Sequence, residues 1–389
     1  MFRVEIEFPQ TATVETIESN SHLSQLLTFC EEQQASDLHL QIGTTSRFRR
    51  EGKLLKLDAA LCPALTNESL QAILAEAFGG DIVRSITDSK ELDLSFQHGP
   101  TRYRANFSKH QGLQACSFRR VPSQRYNLTD LRLPPSLAEL TDEARGLVLA
   151  AGPTGQGKST TLRALIQSIN ESKALRIITI EDPIEYVFAA QECQIEQREV
   201  GVDTESFETG IRSAMRQDPD IIFVGEIRDR ESIHAAMQAS ETGHLVFTTL
   251  HADSTAQAIA RICELYPQPE QGNITGLLAR NLKAIICQRL IPDINERLVP
   301  CLELMRHDRG IENAIRDRNW PKLTGIIEAA VEQGMHSFDQ YLLELLAAEV
   351  ITEDTAQAYA VNRHRLDLTL RGIETNTAIL QPGDSSESR

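Results

Sequence analysis

The sequence predicts an α/β protein, a parallel sheet covered by helices, with an antiparallel α+β domain before it and a helical region after it. Three observations carry this. From Leu137 onward, apolar strands alternate with helical segments, as in "GLVLAA", "ALRIITIED", "PDIIFVGE" and "HLVFTTLH", and such alternation implies parallel strands with helical crossovers. The first of these strands runs directly into a glycine-rich loop and then an amphipathic helix. Upstream of residue 120 or so, the apolar period is two, as in half-buried antiparallel strands.

The loop is "AGPTGQGKSTT", Ala151 to Thr161. Gly152, Gly157, Lys158 and Ser159 match G-x-x-x-x-G-K-[ST], in which backbone N–H groups cradle a polyphosphate, the lysine reaches the β- and γ-phosphates and the hydroxyl ligates Mg²⁺. Gly152, Pro153, Thr154, Gly155, Gln156, Gly157, Lys158, Ser159 and Thr160 are therefore the candidate ATP-binding residues, with Ser159 the metal ligand. The context agrees. "GLVLAA" suits a strand buried on both faces. Leu162, Leu165, Ile166 and Ile169 recur at helical spacing, so a helix N-terminus points at the anion.

In residues 1–121, Leu23, Leu26, Leu27 and Cys30 share a helix face, and "SDLHLQIG" alternates through Leu38, Leu40 and Ile42. "RFRREGKLLKL" reads as a hairpin through Glu51-Gly52. Three further strands follow, with turns at His98-Gly99-Pro100 and near Gly112. On the second of them Tyr103, Ala105 and Phe107 face one way, and Arg102 and Arg104 the other. On the third, Cys116 and Phe118 face inward and Arg119 outward. Prolines 122, 134 and 135 punctuate a linker over 122–136, and the parallel-sheet domain is expected over 137–300. Residues 301–375 read as helical, with Phe338, Tyr341, Leu342, Leu345 and Leu346 on one face and Thr352 as an N-cap. The polar stretch 376–389 is expected to be disordered.

Composition narrows the function. A net charge of −16 argues against a surface that coats nucleic acid or acidic lipid. No apolar run long enough to span a bilayer and no signal-peptide pattern occurs, so a cytoplasmic chain without a membrane span is expected. The seven cysteines are dispersed, with no C-x-x-C pair, and read as reduced core thiols.

ATP hydrolysis needs a group to activate water, a metal and positive charge at the transition state. Glu181, Asp182 and Glu185 follow a buried strand, at the end where ligands sit in open α/β sheets. Glu185 is the candidate for activating water. Glu226 follows another strand and fits the Walker B role. His244 and His251 flank a third strand and could read the γ-phosphate or a neighbouring subunit.

Taken together, "GPTGQGKSTT", "ITIEDPIEYVF", "QREVGVDTESF", "MRQDPDIIFVGEIRD" and "TGHLVFTTLHADS" resemble the secretion ATPase superfamily. They are most similar to the retraction ATPases of type IV pili, the PilT/PilU type. The resemblance runs from about residue 20 to 375. It implies a PAS-like N-terminal domain, a RecA-like P-loop NTPase core and a homohexameric ring. It implies Glu185 as catalytic glutamate, Glu226 as Walker B glutamate, and His244 and His251 as histidine-box residues. Arginines of the N-terminal domain then approach ATP near a subunit boundary, here Arg104 and Arg119, with Arg102 and Arg120 beside them. The implied partners are an inner-membrane pilus platform protein at the pilus base and a paralogous retraction ATPase. The longer N-terminal region and C-x-x-C insert of extension and type II secretion ATPases are missing. The family's "AIRNLIRE"-like helix is represented here only by "GIENAIRDRNW". An ATPase of a related type IV secretion or conjugation system therefore stays as an alternative. A nucleic-acid translocase is a further one, opposed by the charge and by the lack of basic stretches interleaved with aromatics.

Overall fold

The computed structural model describes residues 17, 20–50, 52–121 and 126–371. The chain divides into two compact units. One gathers the residues up to Gln124 with Asp182–Ala189 and Gln197–Glu205; the other takes Arg125–Glu181, Ala190–Glu196 and the chain from Ser206 onward. Pro122 of the expected linker and the 376–389 tail lie outside the described residues.

The first unit is built on an antiparallel sheet of strands β1 (Asp37–Gln41), β2 (Arg47–Arg50), β3 (Lys53–Lys56), β4 (Glu91–His98), β5 (Thr101–His110) and β6 (Leu113–Arg120), in the order β3-β2-β1-β6-β5-β4. The period-two pattern decides its faces. Leu92, Leu94, Phe96, Tyr103, Ala105, Phe107, Cys116 and Phe118 are all buried. Helices His22–Glu32, Asn67–Phe78 and Gly80–Asp88 supply the other side of this core. Ser21 caps the first helix by accepting from the Ser24 amide, and a Thr66–Ser69 capping box starts the second. Phe96 and Phe107 each meet Phe118 edge to face, with centroids 6.2 and 5.9 Å apart. Aromatic pairs at such geometry add to simple burial.

The second unit holds a sheet of β7 (Gly146–Ala151), β8 (Arg176–Glu181), β9 (Gln194–Glu199), β10 (Ile221–Val224), β11 (Leu245–Leu250), β12 (Leu282–Pro292) and β13 (Leu298–Arg306), ordered β13-β12-β7-β11-β10-β8-β9. The strand β9 starts in this unit, and its last residues, Gln197–Glu199, belong to the first. Strands β12, β7, β11, β10 and β8 pair in parallel, and β13 returns antiparallel to β12. Every residue of β7 and β11 is buried, as parallel strands covered on both faces require. Leu162, Leu165, Ile166 and Ile169 of helix Lys158–Ser172 are fully buried. All seven cysteines are buried free thiols.

One expectation needs correction. The chain does not turn helical at 300. It is then inside β13, and the helices begin at Arg309. Both strands of the β12–β13 pair are covered on two faces over most of their length, so "LKAIICQRLIP" shows no alternation to announce a strand.

Phe118 is fully buried at the centre of the aromatic cluster. Phe118→Ala should destabilise the protein by about 3–5 kcal/mol in equilibrium urea unfolding. A loss under about 1 kcal/mol would mean that the cluster does not hold this sheet to its helices.

Candidate nucleotide site

Parallel pairing sets the geometry of the site. Ala151 at the end of β7 is level with Leu250 at the end of β11, and Thr248 of β11 with Val224 at the end of β10. The loops that follow three adjacent strands therefore emerge on one edge of the sheet. They carry the glycine-rich loop, His251 and Glu226. The Lys158 ammonium is buried and donates to the carbonyls of Gly152 and Pro153, at 2.8 Å each. It stands 3.5 Å from His251 Nδ1. His251 Nε2 lies 2.7 Å from Glu226 Oε1, and Arg228 Nε donates to Glu226 Oε2 at 3.0 Å. Burial lowers the Lys158 pKa below its ordinary value, and the Glu226 carboxylate opposes part of that shift.

Strand β12 grips the loop from its other side. The Gln288 amide accepts from the Thr161 hydroxyl at 2.6 Å and donates to the Gln156 carbonyl at 2.7 Å. The Leu290 amide donates to Gln156 Oε1 at 2.6 Å. This closeness explains two glycines. At Gly152, with φ +148°, a Cβ would lie 2.4 Å from the Gln288 carbonyl oxygen. At Gly157, φ +78°, it would lie 2.8 Å from Gln288 Nε2. Gln288 is absent from the sequence-based set. Its one signal is a polar residue inside an otherwise apolar run, and a buried glutamine requires partners.

Beside the loop opens a cavity of about 390 Å³, bordered by Tyr126, Leu133, Gly157, Thr160, Thr161 and Leu290. Arg132 and Asp293 pair at 3.2 Å on its wall. Another cavity, of about 360 Å³, lies among the C-terminal helices and involves no loop residue.

The remaining candidates fall elsewhere. Glu181, at the end of β8, is buried, accepts from the Thr179 hydroxyl at 2.8 Å and pairs with Arg163 at 3.6 Å. Glu185 is exposed and belongs to the first unit, as do Arg104 and Arg119. Those arginines stand directly opposite each other on β5 and β6. Arg119 Nε donates to buried Asp37 at 2.8 Å. Burial would raise the Asp37 pKa, but hydrogen bonds from Arg119 and Ser36 outweigh it and the group sits below its ordinary value. Of the two histidines expected at the γ-phosphate or at a neighbouring subunit, His244 stands away from the loop of its own chain. It precedes the six-residue β11 and its carbonyl accepts from the Gly146 amide, at the opposite edge of the sheet from the loop of its own chain. A strand of that length separates the two edges by roughly 20 Å. The His244 ring bonds instead to the Ala239 carbonyl at 2.9 Å.

The model of the family "Type II/IV secretion system protein" matches residues 78–369. The type IV pilus retraction ATPase PilT of Pseudomonas aeruginosa is 37% identical over 340 residues, 87% of this chain and 98% of its own. The type IV pilus ATPase PilU of the same organism is 34% identical, over 89% of this chain and 90% of its own. The crystal structure of the pilus retraction motor PilT with bound ADP superposes with a TM-score of 0.79 at 36% identity, covering 88% of this chain and 98% of that one. The chain belongs to the type II/IV secretion system protein family, as a member of the PilT/PilU type, with a RecA-like P-loop core, an N-terminal sheet domain and C-terminal helices.

Two outcomes follow for this site. Gln288→Leu removes both amide bonds at similar volume and should weaken ADP binding about tenfold or more without unfolding the chain. Affinity within about twofold of the parent would show that the loop keeps its shape without that amide. For Arg119, the sign is set by Asp37. A carboxyl depressed in the folded state stabilises above its unfolded pKa, and the stabilisation is lost as pH falls through its folded value. Arg119→Ala should therefore lower the unfolding midpoint at pH 7, with the deficit shrinking below pH of about 3.9. A deficit independent of pH would remove the ion pair as its cause.

Proposed function

We propose that this chain is a motor that hydrolyses ATP to retract type IV pili, working as a homohexamer on a pilus platform protein at the cytoplasmic side of the inner membrane. The observation that carries the reading is the Lys158–His251–Glu226 chain beside the phosphate loop, in a protein whose similarity to PilT runs almost end to end. PilU-like sequences suggest a paralogous ATPase as a further partner.

In this reading the loop amides and Lys158 bind the β- and γ-phosphates, and the cavity bordered by Tyr126 and Leu290 takes the nucleoside. Among the described residues, no cluster of three or more His, Cys, Asp or Glu could hold a metal by itself. That suits Mg²⁺, which binds through phosphate oxygens, waters and one or two protein oxygens. Ser159 would hold it, and it would neutralise charge on the phosphates. Glu185 takes a proton from the attacking water. Glu226, oriented by Arg228 and His251, aligns that water or the metal's hydration shell. Arg104 and Arg119 serve the nucleotide of a neighbouring subunit. Their placement directly opposite each other on paired strands supports this, because one anion could meet both guanidiniums while Arg119 Nε keeps its bond to Asp37. His244 is assigned to contacts between subunits rather than to the phosphate.

Lys158→Ala should abolish nucleotide binding, whereas Glu185→Gln and Glu226→Gln should bind ATP and turn it over at least about a hundredfold more slowly. Normal turnover in Glu185→Gln would remove it as the base. In cells, deletion or Lys158→Ala should leave piliation normal or raised and abolish twitching. Loss of all pili would indicate an extension motor, and intact twitching with failed protein or DNA transfer a secretion ATPase.

A further inference from the structure

Glu185 sits in an extended segment whose backbone is strapped at alternate residues by two side chains of β9. The Ile184 amide donates to Glu199 Oε2 at 3.1 Å. Two residues on, the Tyr186 carbonyl accepts from Gln197 Nε2 at 2.8 Å, and the Phe188 amide donates to Gln197 Oε1 at 2.8 Å. Ile184, Tyr186 and Phe188 are buried, while Glu185 and Val187 are exposed. This is the period-two logic of a strand, imposed by side chains in place of a neighbouring backbone.

The Glu199 carboxylate does more than cap one amide. It is buried, and it also accepts from the Ser95 hydroxyl at 2.6 Å on β4 and from Arg102 at 2.8 Å on β5. Its own amide donates to Asp203 Oδ2 at 2.8 Å, and its carbonyl accepts from the Asp203 amide at 2.8 Å. Arg102 lies two residues before Arg104 on the same face of β5, and Ser95 is directly opposite Arg104. A single carboxylate thus joins the segment bearing Glu185 to β5, the strand that bears Arg104, and to β4 beside it. All of these groups belong to the first unit. A buried charge bonded this fully tolerates little displacement of its partners, because any lost bond leaves an unpaired charge in a low-dielectric setting.

We propose that Glu199, assisted by Gln197, is a positioning residue for hydrolysis: it fixes the backbone on either side of Glu185 and so sets where that carboxylate stands relative to Arg104. The proposal rests on the reading of Glu185 as the base. Neither residue touches the nucleotide in this account, so their loss acts on the chemical step and not on binding.

The test uses the full-length protein with four variants: Glu199→Gln, Gln197→Ala, Glu185→Gln and the Glu199→Gln/Glu185→Gln double variant. Glu199→Gln keeps the side-chain shape but cannot accept from Ser95, Arg102 and Ile184 together. Its kcat should fall about 10- to 100-fold, with KM for ATP and affinity for a fluorescent ADP analogue changed less than about threefold. Gln197→Ala should fall in the same sense, and it stands in if Glu199→Gln does not fold. The double variant should be no slower than Glu185→Gln alone, since misplacing an absent base costs nothing. Parallel losses of kcat, ADP affinity and thermal stability would reduce Glu199 to a structural role and overturn the proposal. So would normal turnover in both Glu199→Gln and Gln197→Ala while Glu185→Gln is inactive. If Glu185→Gln itself turns over normally, the base assignment has failed, and this inference falls with it.

Discussion

The parallel register of β7, β11 and β10 fixes where Lys158, His251 and Glu226 can be, and the rest of the site is arranged around that constraint. Because β11 lies between the other two strands, the residue after its end must stand between the loop that follows β7 and the carboxylate that follows β10. A histidine suits that place. One ring nitrogen can donate to a carboxylate while the other faces an ammonium, which neither a second acid nor a second base could do. The Gly225 amide, just after β10, bonds the Ile180 carbonyl at 2.8 Å and ties the start of that loop to β8.

The phosphate loop is held by more than its own sequence. Its helix begins at a left-handed glycine, and β12 closes over it with Gln288 and the Leu290 amide. A P-loop must present several amides to one anion at once, and that requires a loop that does not relax when the anion leaves. The Gln288 amide satisfies both its donor and its acceptor within the protein, so it stiffens the loop without competing for the phosphate.

Local pattern made much of this legible. The faces of β5 and β6, the helix Lys158–Ser172 and the cap at Thr352 follow from periodicity and capping chemistry, and the structure has them in place. The loop and its neighbours Glu226 and His251 were legible because strand ends in a parallel sheet converge. What escaped the sequence is tertiary. Gln288 bonds Thr161 across 127 positions. Ser95 bonds Glu199 across 104. No local period records such pairs. The β12–β13 strands lacked alternation because both faces are covered. His244 and His251 lie apart for a simpler reason: flanking a strand means standing at its two opposite ends, and only one end faces the loop.

The same chain of contacts couples the loop to the acid. In this structure the ammonium of Lys158 is satisfied by two loop carbonyls and stands against His251. Burial already disfavours its charge, so the group is poised to take a stronger counterion than a carbonyl dipole. A phosphate that draws the ammonium away from Gly152 and Pro153 must also alter its 3.5 Å contact with His251 Nδ1. The opposite nitrogen of that ring holds Glu226, which Arg228 holds in turn. A change of charge beside Lys158 is therefore felt at the Glu226 carboxylate through one imidazole ring. Removing that ring would leave Lys158 and Glu226 in place and still break the connection between them.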